Sequence, residues 1–192
     1  MRLPMWRWLT FVLLVCVACH RGRSSEQEQP APSSSVIFLG VEIAACTDVP
    51  VCERECDGGS ADSCRRLAAS YAFGKGVEKD EGRAAALYEL ACGMKDPSAC
   101  VFAGQMHEFA RGVPKDEGKA ASLYARACDL RGVAGCYNLA IMYERGSGVT
   151  ADRKKAGDLY QMACVAGAKQ GCDKASQMHA SVPVLFFDGG VP

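Results

Sequence analysis

The chain has 192 residues, a length that suits one domain. Its 22 Lys and Arg residues balance its 22 Asp and Glu residues, so the formal net charge is zero. This balance argues against electrostatic binding to nucleic acid, which needs a basic excess to displace counterions. The twelve cysteines predict a disulfide framework in an exported protein, or metal binding in a cytosolic one.

The N-terminal segment has the features of an export signal. Arg2 and Arg7 form a short positive region, and residues 9–18 are apolar apart from Thr10. About ten apolar residues are too few to span a bilayer, which takes about 20, but they suit the core of a signal peptide. We therefore expect residues 1–18 to be a signal peptide.

The apolar run ends in Cys16-Val17-Ala18-Cys19. A small residue before cysteine resembles the lipobox of bacterial lipoproteins, in which that cysteine is acylated and becomes the new N-terminus. The resemblance implies a lipid on Cys19 and anchoring in the bacterial cell envelope, in the periplasm or at the outer membrane. Cys16 departs from the usual leucine, and ordinary cleavage without lipid is the alternative. Cys16 itself is a poorer lipid site because bulky Val15 precedes it.

Residues 19–45 are expected to form a flexible linker after the lipidated cysteine. Residues 20–35 are polar and rich in Ser, Gln and Pro. Such a segment cannot bury enough apolar surface to become ordered.

A period of 36 residues governs the rest of the chain. From residue 56 onward the cysteines come in pairs separated by eight, and each pair follows the last by 36. A Gly-Val pair, an Asp three residues after its valine, and a Leu-Tyr pair recur at the same interval. A fixed period of this length predicts a protein of stacked repeats. The recurring elements begin at Cys56, Cys92, Cys128 and Cys164; Gly76, Gly112 and Gly148; Asp80, Asp116 and Asp152; and Leu87, Leu123 and Leu159.

Each repeat is predicted to be a pair of helices. Cys64, Leu67, Ala68 and Tyr71 follow the spacing of a buried helix face. The glycines of residues 74–76 end this helix, since glycine accepts positive φ. An aspartate at position 80 can then cap the second helix, whose inner face carries the Leu-Tyr pair. The chain is therefore predicted to be all-α.

These blocks resemble the Sel-one-like repeat family, the 36-residue relatives of tetratricopeptide repeats, over residues 56–172. The cysteine pairs resemble its cysteine-rich Hcp-type branch, which occurs in bacterial exported proteins. The resemblance implies an α-solenoid of three to four helix-turn-helix repeats over residues 46–181, with an N-terminal capping helix near residues 50–58 and a C-terminal tail at 182–192. Two residues depart from the pattern, since Ala110 replaces a loop glycine and His107 replaces a tyrosine.

The paired cysteines are predicted to form disulfides across a chain reversal. Residues eight apart in one straight helix lie about 12 Å apart, whereas a disulfide needs Cα atoms within about 4.4–6.8 Å. Gly93 and Asp96-Pro97 supply such a reversal. Zinc is the alternative, but its cysteines are usually about two to four residues apart, and only Cys52 and Cys56 approach that spacing. The predicted bonds are Cys56–Cys64, Cys92–Cys100, Cys128–Cys136, Cys164–Cys172 and, from the two remaining cysteines, Cys46–Cys52.

No motif in the sequence predicts catalysis. His107-Glu108 begins a His-Glu-x-x-His zinc motif, but Arg111 stands at the fifth position. The Hcp-type resemblance implies penicillin binding or weak β-lactamase activity as an alternative function. Neither Ser-x-x-Lys nor Lys-[Ser/Thr]-Gly occurs, so such an activity has no recognisable nucleophile. We predict no catalytic residue, metal or cofactor.

Protein binding is the predicted function. In stacked helix pairs the first helices line a concave face, which can hold a partner protein or peptide. Positions that vary between repeats are the candidates, although their Met and Phe side chains could instead pack between repeats. The predicted partner-binding residues are Arg66, Phe102, Met106, Phe109, Asn138, Met142 and Arg145. We also expect the apolar residues 184–187 of the tail to dock on the terminal helix as an end cap, with docking in the concave groove as the alternative.

Overall fold

A computed structural model describes residues 45–180, which contain eight helices and no strand. A short first helix precedes three helix pairs, and a single helix follows them. The helices are α1 (Val49–Asp57), α2 (Ala61–Phe73), α3 (Glu81–Gly93), α4 (Pro97–Glu108), α5 (Glu117–Asp129), α6 (Val133–Arg145), α7 (Arg153–Val165) and α8 (Lys169–Ala180). The predicted all-α solenoid of helix-turn-helix repeats is confirmed, and α1 is the predicted N-terminal helix. Within the described range no helix is long and apolar enough to cross a bilayer.

The recurring aspartates begin the second helix of each pair. Asp80, Asp116 and Asp152 each accept a hydrogen bond from the backbone amide three residues later, at 2.9, 2.8 and 2.9 Å. A carboxylate at this position satisfies an amide that has no partner inside the helix. The three second helices therefore start at the same point of each repeat.

The first helix of each pair ends at a residue in the left-handed conformation. Gly74 and Gly146 have φ values of 66° and 72°, and Ala110 takes the same conformation at 55°. A side chain in this region costs about 1–2 kcal/mol relative to glycine. The missing glycine of the second repeat therefore leaves the turn intact but strained.

Neighbouring repeats stack along the array. Each first helix packs against its own second helix and against the preceding second helix, and α4 also contacts α6, the next first helix. The loop glycines set the closeness of stacking, because a Cβ at Gly112 would lie 2.2 Å from the carbonyl carbon of Glu81. Two successive first helices, α4 and α6, therefore lie in contact with each other.

A repeated tyrosine fills the space between the helices of each pair. Tyr88, Tyr124 and Tyr160 are buried. A Cβ at Gly104 would lie 2.6 Å from the Tyr124 ring, so glycine is the residue that admits the ring there. The periodic Tyr and small residues predicted as the inner stripe thus form the core.

Five disulfides join the cysteines in the predicted pairs. The four periodic pairs have Cα–Cα distances of 4.5–4.6 Å, and Cys46–Cys52 has 6.3 Å. Cys92–Cys100 links α3 to α4, the first helix of the next repeat, and the later pairs repeat this arrangement. Within residues 45–180 no group of three or more His, Cys, Asp or Glu residues is placed to hold a metal ion.

The terminal helix α8 has a polar face where a second helix would pack. Ser176 and Gln177 are exposed. The position of Ser176 holds Gly104 in the second repeat, where the glycine lies against Tyr124. An end unit with a polar outer face keeps a solenoid soluble. Ser176 and Gln177 therefore place polar side chains on this face of α8, and the predicted docking of residues 184–187 lies outside the described residues.

Candidate partner-binding surface

Three of the predicted partner-binding residues are buried, and the prediction that they form an open surface is wrong. Phe102, Met106 and Met142 expose 7, 2 and 1% of their surface. Phe102 packs on Tyr88 of the preceding second helix, with ring centroids 5.1 Å apart. Apolar side chains at these positions are held by the adjoining repeat rather than offered to a partner.

The repeat position of Phe102 faces the preceding repeat elsewhere as well. Lys174 occupies this position in the last helix, and its Nζ lies 5.9 Å from the centroid of the Tyr160 ring. Phe102 and Lys174 therefore cover the repeated tyrosine in two different ways. Sequence variability between repeats does not by itself identify a recognition surface.

The remaining predicted residues lie nearer the surface. Phe109 is 57% exposed and Arg145 is exposed, whereas Arg66 and Asn138 are half-buried. The Nε atom of Arg66 is buried and has no hydrogen-bond partner among the described residues. Phe109 and Arg145 hold the same repeat position as Phe73, at the end of a first helix. We call Phe73, Phe109 and Arg145 the first-helix ends.

A cluster centred on Glu89 joins the first two helix pairs, and the sequence did not predict it. The Glu89 carboxylate lies 2.7 Å from both His107 Nε2 and Lys119 Nζ. Burial raises the pKa of Glu89, but the hydrogen bonds from Lys119 and His107 outweigh it and leave that pKa below its usual value. The charged carboxylate therefore bridges α3, α4 and α5.

His107 has a packing role that its repeat position explains. It is 6% exposed, and Tyr71 and Tyr143 occupy its position in the neighbouring repeats. A basic residue twelve positions later accompanies each of the three. Arg83 lies over the Tyr71 ring at 5.4 Å, and Lys155 lies over the Tyr143 ring at 4.3 Å. Lys119 is the equivalent residue beside His107.

Two core tyrosines are tied to glutamates of their own first helices. The Tyr124 hydroxyl donates to Glu108 at 2.6 Å, and Tyr160 donates to Glu144 at 2.6 Å. Burial raises the pKa of both tyrosines, and the bond to a carboxylate raises it further. A glutamate sixteen residues before the tyrosine is the sequence signal for this contact. It is absent from the first repeat, where Ala72 stands instead.

The hydroxyls of several described serines serve local structure. Ser63 donates to the Glu55 carboxylate at 2.6 Å, and Ser122 and Ser176 donate to backbone carbonyls of their own helices. In the described part of the chain no serine hydroxyl is hydrogen-bonded to a lysine amine. The side chains described above can therefore support the stacking of the repeats and contacts at their surface.

The sequence matches the Sel1 repeat family in three consecutive segments, at residues 61–96, 97–131 and 133–167. No curated protein sequence is significantly similar to this chain.

Three solved structures are similar to the fold. A Sel1 repeat protein from Oxalobacter formigenes is 28% identical, with a TM-score of 0.63 over 69% of this chain and 99% of the other. The protective antigen c5321 of uropathogenic Escherichia coli, described as displaying an SLR fold, is 22% identical, with a TM-score of 0.67 over 72% of this chain and 30% of the other. Cysteine-rich protein B of Helicobacter pylori is 24% identical, with a TM-score of 0.54 over 66% of this chain and 96% of the other.

The three family segments cover more than half of the chain and coincide with the three stacked helix pairs. Sel1 repeats generally mediate protein–protein interaction. The chain belongs to the Sel1 repeat family.

Proposed function

We propose that this chain is an exported, lipid-anchored scaffold of the bacterial envelope that binds a protein or peptide at its first-helix ends. Its N-terminal segment would direct export, a lipid on Cys19 would hold it at the membrane, and residues 20–45 would separate the repeats from the lipid. The partner would lie on the side of the array where the first helices meet.

The disulfides support the exported location. All ten cysteines from Cys46 to Cys172 lie in bonded pairs. Such bonds form and persist in oxidising compartments such as the periplasm, and they are rare in the bacterial cytosol. The apolar run at residues 9–18 and the small residue before Cys19 support the same route.

The exposure of Phe109 is the observation that best supports a binding site at the first-helix ends. Phe109 is 57% exposed at the end of a first helix, α4, whose other large apolar residues Val101, Phe102 and Met106 are buried. Aromatic side chains are enriched at the centres of protein interfaces, and arginine is enriched with them. The first-helix ends combine both kinds of residue, because Arg145 holds the position that Phe109 holds one repeat earlier.

The experiment is a comparison of two exposed apolar residues on opposite helices of the array. Leu90 is 47% exposed and lies on the second helix α3, so Leu90→Ser is a matched control for Phe109→Ser. Capture of partners from the native envelope by the mature protein should fall at least tenfold with Phe109→Ser and change less than twofold with Leu90→Ser. Equal capture by both variants, with unchanged melting temperatures, would refute the proposed surface.

The anchor has its own test. The wild-type chain should incorporate labelled fatty acid, and Cys19→Ser should release an exported protein that incorporates none. Cys16→Ser should keep the label. If the wild-type protein takes up no label, the lipid anchor is refuted and the N-terminal segment is an ordinary cleaved signal peptide.

A further inference from the structure

Most of the large exposed apolar side chains of the array lie at one edge. Four such side chains are exposed among the described residues, and only Phe109 lies at the end of a first helix. The other three lie in the last turn of a second helix. They are Leu90 on α3, and Met162 and Val165 on α7, with 47, 53 and 80% exposure. We call residues 90–97, 126–133 and 162–169, which contain the end of each second helix and the turn after it, the turn edge.

Successive turns of this edge lie close together. The Arg126 guanidinium donates to the Gly93 carbonyl at 3.1 Å, and a Cβ at Gly132 would lie 2.9 Å from the Pro97 Cβ. Each second helix has 13 residues, so its two ends are about 20 Å apart at 1.5 Å per residue. The loops after the first-helix ends lead into the beginnings of these helices. The turn edge is therefore on the opposite side of the array from the first-helix ends.

The exposed charges of the turn edge are mainly positive. Exposed cations occupy four positions and an exposed acid occupies one, Asp129. Asp96 also lies in this edge, but its carboxylate caps a backbone amide of α4 and is paired with Arg65. The turn at the end of α1 carries Arg54 and Asp57 and adds no net charge. The four cations are Lys95, Arg126, Arg131 and Lys169.

Two of these cations have a backbone conformation that favours glycine. Lys95 and Arg131 have φ values of 69° and 62°, and glycine occupies the same repeat position in the first and last turns, as Gly59 and Gly167. A side chain in the left-handed region is costly, and strain of this kind is concentrated at functional positions. Neither cation forms an ion pair with another residue in the described part of the chain. Both charges are therefore able to contact a ligand outside the chain.

Cations beside separately exposed apolar side chains suit an anionic membrane surface. Lys and Arg near such a surface are attracted to its lipid phosphates, and apolar side chains among them can enter the boundary of the acyl chains. The apolar residues of the turn edge do not follow one another along the array, because Arg126 stands in register between Leu90 and Met162. Protein interfaces usually have an apolar centre depleted of charge, with a polar rim. The mixture of charged and apolar residues therefore favours phospholipid.

We propose that the turn edge lies on an anionic phospholipid surface, with its four cations at the headgroups and Val165 inserted among them. This inference rests on the proposed lipid anchor, which brings the array to a membrane. Residues 20–45 could extend to about 90 Å, so the lipid itself does not determine which side of the array faces the bilayer. The turn edge determines it, and the first-helix ends then face away from the membrane.

Tryptophan reporters test this orientation. Residues 19–192 contain no tryptophan, so one substitution supplies the only indole after removal of residues 1–18. The exported chain with Cys19→Ser is used, so that the result does not depend on the lipid and is separate from the test of the anchor. Vesicles of brominated phosphatidylglycerol should quench Val165→Trp at least fivefold more strongly than Phe109→Trp. Equal quenching, or stronger quenching of Phe109→Trp, would overturn the proposal.

Two double variants of the same chain separate the cations of the turn edge from net charge. Lys95→Gly with Arg131→Gly introduces the residue found in the first and last turns, so it should not lower the melting temperature. It should weaken sedimentation with phosphatidylglycerol vesicles at least tenfold. Lys79→Ala with Lys115→Ala removes two exposed cations at the other edge, where the third repeat carries Ala151, and should change this binding less than twofold.

Two outcomes of the vesicle measurement would overturn the proposal. One is equal binding by the two double variants. The other is a chain that does not bind phosphatidylglycerol vesicles but loses capture of an envelope protein with Lys95→Gly and Arg131→Gly, because the turn edge would then bind protein.

Discussion

Gly148 lies against Glu117 of the preceding helix pair so closely that a Cβ on the glycine would be 2.2 Å from the Glu117 carbonyl carbon. The glycine also has a φ of 67°, which side chains rarely adopt. One residue thus satisfies two constraints, the turn of its own repeat and the approach of the repeat before it.

Gly148→Ala should consequently destabilise the array strongly. The left-handed conformation costs about 1–2 kcal/mol, and overpacking adds about 1–3 kcal/mol. Urea unfolding should show a loss of roughly 2–5 kcal/mol. Gly93→Ala is the control, because no atom lies within 4 Å of a Cβ there and its φ is not positive. A loss below about 0.5 kcal/mol for Gly148→Ala would contradict the close stacking.

Ala110→Gly should have the opposite effect. Ala110 holds a φ of 55° where the first and third repeats have glycine. Relief of this strain should stabilise the protein by about 1 kcal/mol, less than the full cost of the conformation because glycine adds entropy to the unfolded chain. Ala86→Gly, at an exposed position inside α3, should instead lose about 1 kcal/mol. A melting temperature that falls with Ala110→Gly would show that the turn is not strained.

Most of the fold could be predicted from the 36-residue period, because the period reflects contacts that every repeat makes. The cysteine spacing, the capping aspartates such as Asp80 and the core tyrosines such as Tyr124 recur, and each proved to have one structural role. Contacts between particular side chains do not recur. The bridge from His107 and Lys119 to Glu89 does not recur among the described repeats, so the repeat pattern could not predict it. Sequence alone placed Phe102 on the correct helix but could not say which of its neighbours would cover the ring.

Phe102→Ala should therefore behave as a core substitution. Its ring is 7% exposed and packs on Tyr88, so its removal should cost about 3–5 kcal/mol. Phe109→Ala, at 57% exposure on the end of the same first helix, should cost less than about 1 kcal/mol. Chemical denaturation of both variants gives the comparison. Equal losses would mean that the two phenylalanines are equally buried in solution.

Acid should weaken the contact between the first two helix pairs. The pKa of Glu89 is lowered in the folded protein, so the carboxylate contributes stability above its unfolded pKa of 4.5, and this contribution is lost as the pH falls through the folded pKa. Glu89→Gln should remove that part of the pH dependence, and the free energy of unfolding should fall less steeply below about pH 4.5. Asp129→Asn, at an exposed residue on α5, is the control. Identical slopes for Glu89→Gln and the wild-type protein would rule out the contribution of this carboxylate.

Removal of one disulfide from the middle of the array should reveal how much the bonds between repeats contribute. Cys92 and Cys100 close a ring of nine residues between α3 and α4, and both are buried. By the loop-entropy relation, the double change Cys92→Ala and Cys100→Ala should cost about 2.5 kcal/mol. Both cysteines must be changed, because a single change would leave a buried thiol free to form other pairs. Ser98→Ala lies in the same ring and should change the free energy of unfolding by less than about 0.5 kcal/mol.

Stability depends on the contacts between neighbouring repeats, so the double variant should also show earlier hydrogen exchange in α3 and α4 than in α6 and α7. Uniform exchange along the array, with a loss below about 0.5 kcal/mol, would mean that packing alone holds these two repeats.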